Sequence, residues 1–225
     1  MSDGEWQDEY GRSLTSYEEY YDTFVNNQAS DGEEEEEEVP ARYLSEFRLP
    51  FLTSPLLLQQ DRQSGIAGHT WPGSLSLLEY LSTHTSMLHG KRILELGSGT
   101  GILGIGCDLL LSCSGGSYEK TGTANHSILI TDVADAISLM QENIVLNGVR
   151  HTQADELCWG ATDVCKFDPP LDVVLMADVA YVADAYAPLA RTLASLCSAN
   201  TLVLHAYRTR QACRSDDFLD ELSSA

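Results

Sequence analysis

The chain has 225 residues, 43% of them hydrophobic, which is enough for one α/β domain with a buried core. Its formal net charge of −21 excludes a bare phosphate-backbone binder, which needs a basic footprint. Fourteen acidic side chains precede Val39 against one basic residue, Arg12, so the tail carries −13 of that −21 and the remainder −8.

Residues 1–38 combine a Tyr-Glu-Glu-Tyr-Tyr run with six consecutive glutamates at 33–38. Like charges this dense repel one another and cannot line a core, so a disordered acidic tail is expected. It either docks a basic partner or simply keeps the chain solvated. Residues 39–58 alternate apolar and polar, and Pro50 and Pro55 limit strand length, which predicts an edge strand or hairpin. Trp71-Pro72-Gly73 reads as a helix start, with Leu75, Leu78 and Leu81 following at helical spacing. Residues 39–90 thus form a strand/helix extension ahead of a core at 91–225.

The core alternates strand and helix. Strands are predicted at 93–96, 128–131, 156–159, 171–177 and 201–207, and helices at 102–113, 135–146, 184–197 and 216–222. Asn147-Gly148 stops the second of these helices. A long polar loop, "SGGSYEKTGTANHS", separates the first helix from the second strand. This alternation predicts an α/β fold built on a doubly wound, mostly parallel sheet.

Cysteine usage points to a reducing compartment. Six cysteines are scattered without a C-x-x-C pair, and buried thiols are expected. No basic region followed by an apolar stretch opens the chain, and no apolar run approaches ~20 residues. A cytoplasmic location, extending to the nucleus, is the expectation, with no membrane contact. The six histidines show no metal-ligand spacing, so no metal is expected; His205, on the fifth strand, is the one of interest. Ser76 and Ser98 have no recognisable His/Asp partners for nucleophilic catalysis.

In an open α/β sheet the ligand lies beyond the carboxyl ends of the strands where the winding reverses. There the first core strand runs into "ELGSGTGILG", with Gly97, Gly99 and Gly101 able to turn sharply and admit a ligand to the backbone. "GTGILG" also satisfies the dinucleotide pattern G-x-G-x-x-G, which keeps a nicotinamide oxidoreductase as an alternative. Glu95, two residues before the first glycine, argues against it, and so does the position of Gly97 directly after the strand. No Gly-Lys-Ser/Thr follows, which excludes a P-loop. The remaining common tenant is S-adenosyl-L-methionine. Asp132, ending the second strand, would accept from its ribose diol, and Trp159 would wall its adenine. Glu95 and Gly101 complete the candidate cofactor set.

The segments "WPGSLSLLEYL", "RILELGSGTGILGI", "ITDV", "LCWG" and "VLMADVAY" occur in this order. In this the chain resembles the seven-strand protein-lysine methyltransferases of methyltransferase family 16, the methyltransferase-like 21 group. The resemblance implies a Rossmann-like methyltransferase fold in which Trp71, Gly97, Ser98, Gly99, Asp132, Trp159 and Ala177 contact the cofactor. It further implies that Asp178 and Tyr181 face the target side chain. The substrate would be a lysine of a non-histone protein of the chaperone or translation-factor class, and the enzyme a monomer without direct nucleic-acid contact. Members of the group finish the sheet with an antiparallel strand pair, for which no sequence follows the fifth strand here. A fold incomplete at its C-terminus is therefore expected, and with it a second alternative: a weak or inactive binding module working through its acidic tail.

Overall fold

The computed structural model describes residues 6–7, 13–14, 40–113, 126–161, 164–167, 171–207 and 215–224. Two units divide the chain, Met1–Ala41 and Arg42–Ala225. In the first, strands β1 (Trp6–Gln7) and β2 (Ser13–Leu14) pair antiparallel, which the reading of 1–38 as a disordered tail did not anticipate. The remainder of that segment, including the glutamate block, lies outside the described residues, as does the polar loop at 114–125.

The second unit begins with the expected hairpin, β3 (Arg42–Phe47) against β4 (Leu56–Asp61). Alternation in β4 buries Leu56, Leu58 and Gln60 on one face. Helix α1 (Pro72–Thr83) starts on Pro72 at its first turn, where a missing N–H costs nothing.

Five parallel strands follow: β5 (Arg92–Leu96), β6 (Ser127–Asp132), β7 (Thr152–Glu156), β8 (Val173–Ala177) and β9 (Leu202–Ala206). Their order is β7-β6-β5-β8-β9. The third strand therefore ends at Glu156 rather than beginning there, and Leu157–Trp159 form the loop beyond its carboxyl end. The misplacement has a simple cause: β7 reads Thr-Gln-Ala-Asp-Glu, a polar edge strand with little hydrophobic signal.

Helices α2 (Ile102–Cys113), α3 (Ala134–Asn147), α4 (Tyr186–Leu196) and α5 (Ser215–Ser224) complete the unit. The hydrophobic core is split by the sheet. Residues of α1, α2 and α3 pack on one face, and residues of α4 together with Phe218 of α5 pack on the other. Every residue of β8 is buried, as its apolar sequence demands of a strand covered on both sides. Gly104 lets α2 close onto the sheet, since a Cβ there would overlap the Ile130 side chain.

The cysteines correct the expectation of buried thiols. Cys107 is buried in α2, but Cys113, Cys158 and Cys165 are exposed and Cys197 is half-buried. Those four sit at or beyond element ends, where apolar neighbours in sequence do not imply a core position. Cys213 lies outside the described residues.

Candidate functional site

The winding reverses between β5 and β8, which lie side by side with Leu96 opposite Met176. Whatever follows those two carboxyl ends faces the crevice. After β5 come Gly97, Gly99 and Gly101 at φ +67°, +55° and +83°, all left-handed conformations that favour glycine. After β8 comes Asp178, itself at φ 52°, the one described non-glycine residue with positive φ. Two left-handed turns thus flank the crevice.

Side chains beneath the glycine turn hold it rigid. Ser98 is 4% exposed; its N–H donates to Thr131 O at 3.0 Å, and its Oγ accepts from Thr131 N at 3.0 Å. Ser98 thus stitches the turn to β6, and its hydroxyl points into that seam. Glu95, 1% exposed, accepts from the Gly104 N–H at 2.9 Å through Oε2. Burial pushes its carboxyl up to about 8, although the Gly104 and Ser98 hydrogen bonds act the other way. Glu95 therefore braces the first turn of α2 from below.

Asp132 lies at the rim. Its Oδ2 accepts from Gly99 N–H at 2.8 Å and its Oδ1 from Val133 N–H at 2.8 Å, while burial raises its carboxyl above the ordinary range. Tyr181 stands near enough for the Asp132 charge to act on it: burial first, then that charge, raises its phenol. Trp159 covers Gly97. A Cβ on Gly97 would stand 2.7 Å from Val179 Cγ1 and 2.9 Å from Trp159 Cζ2. Trp71, the residue before α1, donates its indole N–H to Ile66 O at 2.9 Å. Ala177 is buried at the end of β8.

Asp178 joins the two sides. Its Oδ2 accepts from Gly73 N–H in the first turn of α1 at 2.7 Å, and its own N–H donates to Ala206 O at 2.8 Å. Trp71 provides no side-chain cap for α1, so the Asp178 carboxylate serves that helix end from across the fold.

A polar network behind the glycine turn escaped the sequence reading. Thr70 N–H donates to the buried Gln60 Oε1 at 2.8 Å, and the Thr70 and Thr100 hydroxyls meet at 3.3 Å. Asn143, fully buried, donates to Thr100 O at 2.9 Å and to Gln59 O at 3.0 Å, and accepts from Gln59 N–H at 2.7 Å. One turn on, Asn147 exchanges two bonds with the Leu57 backbone at 2.9 and 2.6 Å. Four residues of helix advance ~6 Å and two residues of strand ~6.8 Å, so two amides on α3 match alternate residues of β4. The i, i+4 asparagines in "ENIVLN" were the visible signal.

The donor set fits an adenosine cofactor that carries no pyrophosphate. Bare glycine backbone lies beside a rim carboxylate and an indole, and no lysine sits in the turn. Fold and turn together define the class of Rossmann-like methyltransferases. One solved structure of that class, the Thermus thermophilus 16S rRNA N2 G1207 methyltransferase in complex with AdoMet and guanosine, has a TM-score of 0.58 at 15% identity. It covers 83% of this chain and 46% of its own.

The lysine methyltransferase family matches residues 51–225, and the chain belongs to it. It is 33% identical to the protein N-lysine methyltransferase METTL21A of Mus musculus over 83% of each chain. It is also 31% identical to the EEF1A lysine methyltransferase 3 of Xenopus tropicalis, over 80% of this chain and 75% of that one. The protein-lysine N-methyltransferase EFM6 of Saccharomyces cerevisiae is 29% identical over 76% and 77%. The activity is therefore protein-lysine methylation dependent on S-adenosyl-L-methionine, and the oxidoreductase reading of "GTGILG" falls away.

Proposed function

We propose that this enzyme methylates a lysine on a folded non-histone protein of the translation-factor or chaperone class, at the crevice between the Gly97 and Asp178 turns. The observation that carries the reading is the Asp178 carboxylate, held at the switch point by the Gly73 N–H. In this reading Gly97, Gly99 and Gly101 admit the cofactor to the backbone, with Ser98 and Glu95 holding the turn. Asp132 accepts from the ribose, and Trp71, Trp159 and Ala177 enclose the adenosine. S-adenosyl-L-methionine, when bound, supplies the methyl group as an electrophilic sulfonium.

What the chain must supply is a neutral, aligned amine. A lysine titrates near ~10.4 in water, and burial in the crevice lowers that value by disfavouring the charged form. A carboxylate accepts more than one hydrogen bond, so Asp178 serves Gly73 and also takes the N–H of the incoming amine, fixing its lone pair. Tyr181 forms the wall of the channel. Alignment of this kind is worth up to ~7–11 kcal/mol of barrier.

The modest −8 on the chain from Val39 onward supports a protein substrate without direct nucleic-acid contact. A monomer in the cytoplasm or nucleus completes the proposal. The test is transfer of labelled methyl from the full chain to purified elongation factor 1A and to a cytosolic chaperone. Peptides gaining steps of about 14 Da at lysine support it. Label confined to other residue types, or to nucleic acid in an extract, overturns it.

A further inference from the structure

Three ligand-type side chains converge at the amino edge of the sheet, the end opposite the glycine turn. Asp108 projects from α2, and His126 and His151 immediately precede β6 and β7. One donor atom from each lies within 4.8 Å of the others, and the two imidazoles meet edge to face at 4.8 Å. Sequence spacing concealed the group, because its members lie 18 and 25 residues apart and only the parallel pairing of β6 with β7 unites them.

Asp108 is 1% exposed. Its Oδ2 is engaged, accepting from His151 N–H and from Thr152 Oγ1, each at 2.9 Å. Its Oδ1 faces His126 Nε2 at 3.7 Å, and the His126 side chain is 8% exposed. Both atoms are buried, and neither has a hydrogen-bond partner among the described residues. The two face each other beyond hydrogen-bond reach, so neither is fully satisfied. A single cation between them satisfies both.

The donors suit a divalent first-row transition metal, zinc among them. Imidazole nitrogen with carboxylate oxygen is a zinc-type set, and tetrahedral bonds of ~2.0–2.1 Å place ligand atoms ~3.3 Å apart. The pair at 3.7 Å is already close to that spacing, and the His151 donor lies within 4.8 Å of both. The Oδ2 bonds to the His151 N–H and Thr152 Oγ1 are the outer hydrogen bonds that orient a ligating carboxylate.

We propose that Asp108, His126 and His151 bind a divalent zinc-class cation that pins α2 to the starts of β6 and β7. The full chain, stripped with chelator and dialysed, is titrated with Zn²⁺ by calorimetry and with Co²⁺ by visible absorption. One equivalent per chain is expected, with a rise in Tm. His126→Gln and His151→Gln should each weaken it at least about tenfold. Asp108→Asn keeps an acceptor for the His151 N–H while removing the anionic ligand, and is expected to weaken binding likewise. If that variant fails to fold, the two histidine variants decide. Absence of saturable binding to the native chain overturns the proposal. So does undiminished affinity in both histidine variants, which assigns the metal to the cysteines or the glutamate block.

Discussion

The Asp178 carboxylate accepts the Gly73 N–H at 2.7 Å, tying the turn after β8 to the first turn of α1. The two residues are 105 apart in sequence, and the bond sets one wall of the crevice against the other. Asp178 also holds a left-handed backbone at φ 52°, which asparagine tolerates better than alanine. Asp178→Asn is therefore expected to fold with less than about 1 kcal/mol lost, while methyl transfer drops at least about tenfold. Asp178→Ala leaves the Gly73 N–H without its acceptor and adds backbone strain, for a loss of about 1–3 kcal/mol. Urea denaturation read beside transfer rates separates the two effects. Full turnover in the asparagine variant would remove the carboxylate from the chemistry.

Gly97 and Gly148 form a matched pair, at φ +67° and +62°. Around Gly148 no atom lies within 4 Å of an added Cβ, whereas at Gly97 Val179 and Trp159 stand in the way. Alanine at 148 should cost about 1–2 kcal/mol of stability through conformation alone and leave cofactor affinity intact. Alanine at 97 should cost more and also weaken S-adenosyl-L-methionine binding. Calorimetric titration of both variants checks the contrast.

Glu95 gives a pH signature. Burial lifts its carboxyl from an ordinary 4.5 to about 8, so the folded chain keeps a proton that the unfolded chain releases. The stabilisation is complete below about 4.5 and is lost as pH rises through about 8, with a total on the order of 5 kcal/mol. Glu95→Gln preserves an acceptor for Gly104 N–H without the ionisation. Its urea midpoint should vary less than that of the native chain from pH 5 to 8.5. Parallel curves for the two proteins would show that Glu95 does not titrate in this range.

Asn143 links the hairpin, the glycine turn and α3 through three bonds from a fully buried amide. Asn143→Ala leaves several of these groups unsatisfied, and a loss of about 2–4 kcal/mol is expected. Asn147→Ala, at the outer end of the same ladder, should cost less. Hydrogen exchange at Leu57 and Gln59 resolves which bond has failed.

Much of the fold and the glycine turn is legible in the sequence. The glycine turn, the strand ending at Asp132, and the apolar β8 running to Asp178 are written in local composition and land where expected. β7 was misplaced because a polar edge strand has no hydrophobic period to read. Ser98 and Glu95 are expected from the sequence to contact the cofactor, whereas their side chains brace the turn from behind, a direction that depends on β6 and α2 arriving at the same place. The Asn143 network and the Asp108 cluster are long-range by nature. The first joins the antiparallel hairpin to α3 and the glycine turn, and the second joins segments that the parallel winding brings together.

The asparagine ladder on α3 has a consequence for the hairpin. A two-stranded ribbon normally leaves main-chain groups open to any passing strand, a route to aggregation. On β4 the outward amide and carbonyl groups of Leu57 and Gln59 are already taken by side-chain amides of the same chain. The β4 edge of the ribbon is thereby closed to recruitment by a second molecule, and the closure fails if the helix carrying it unwinds.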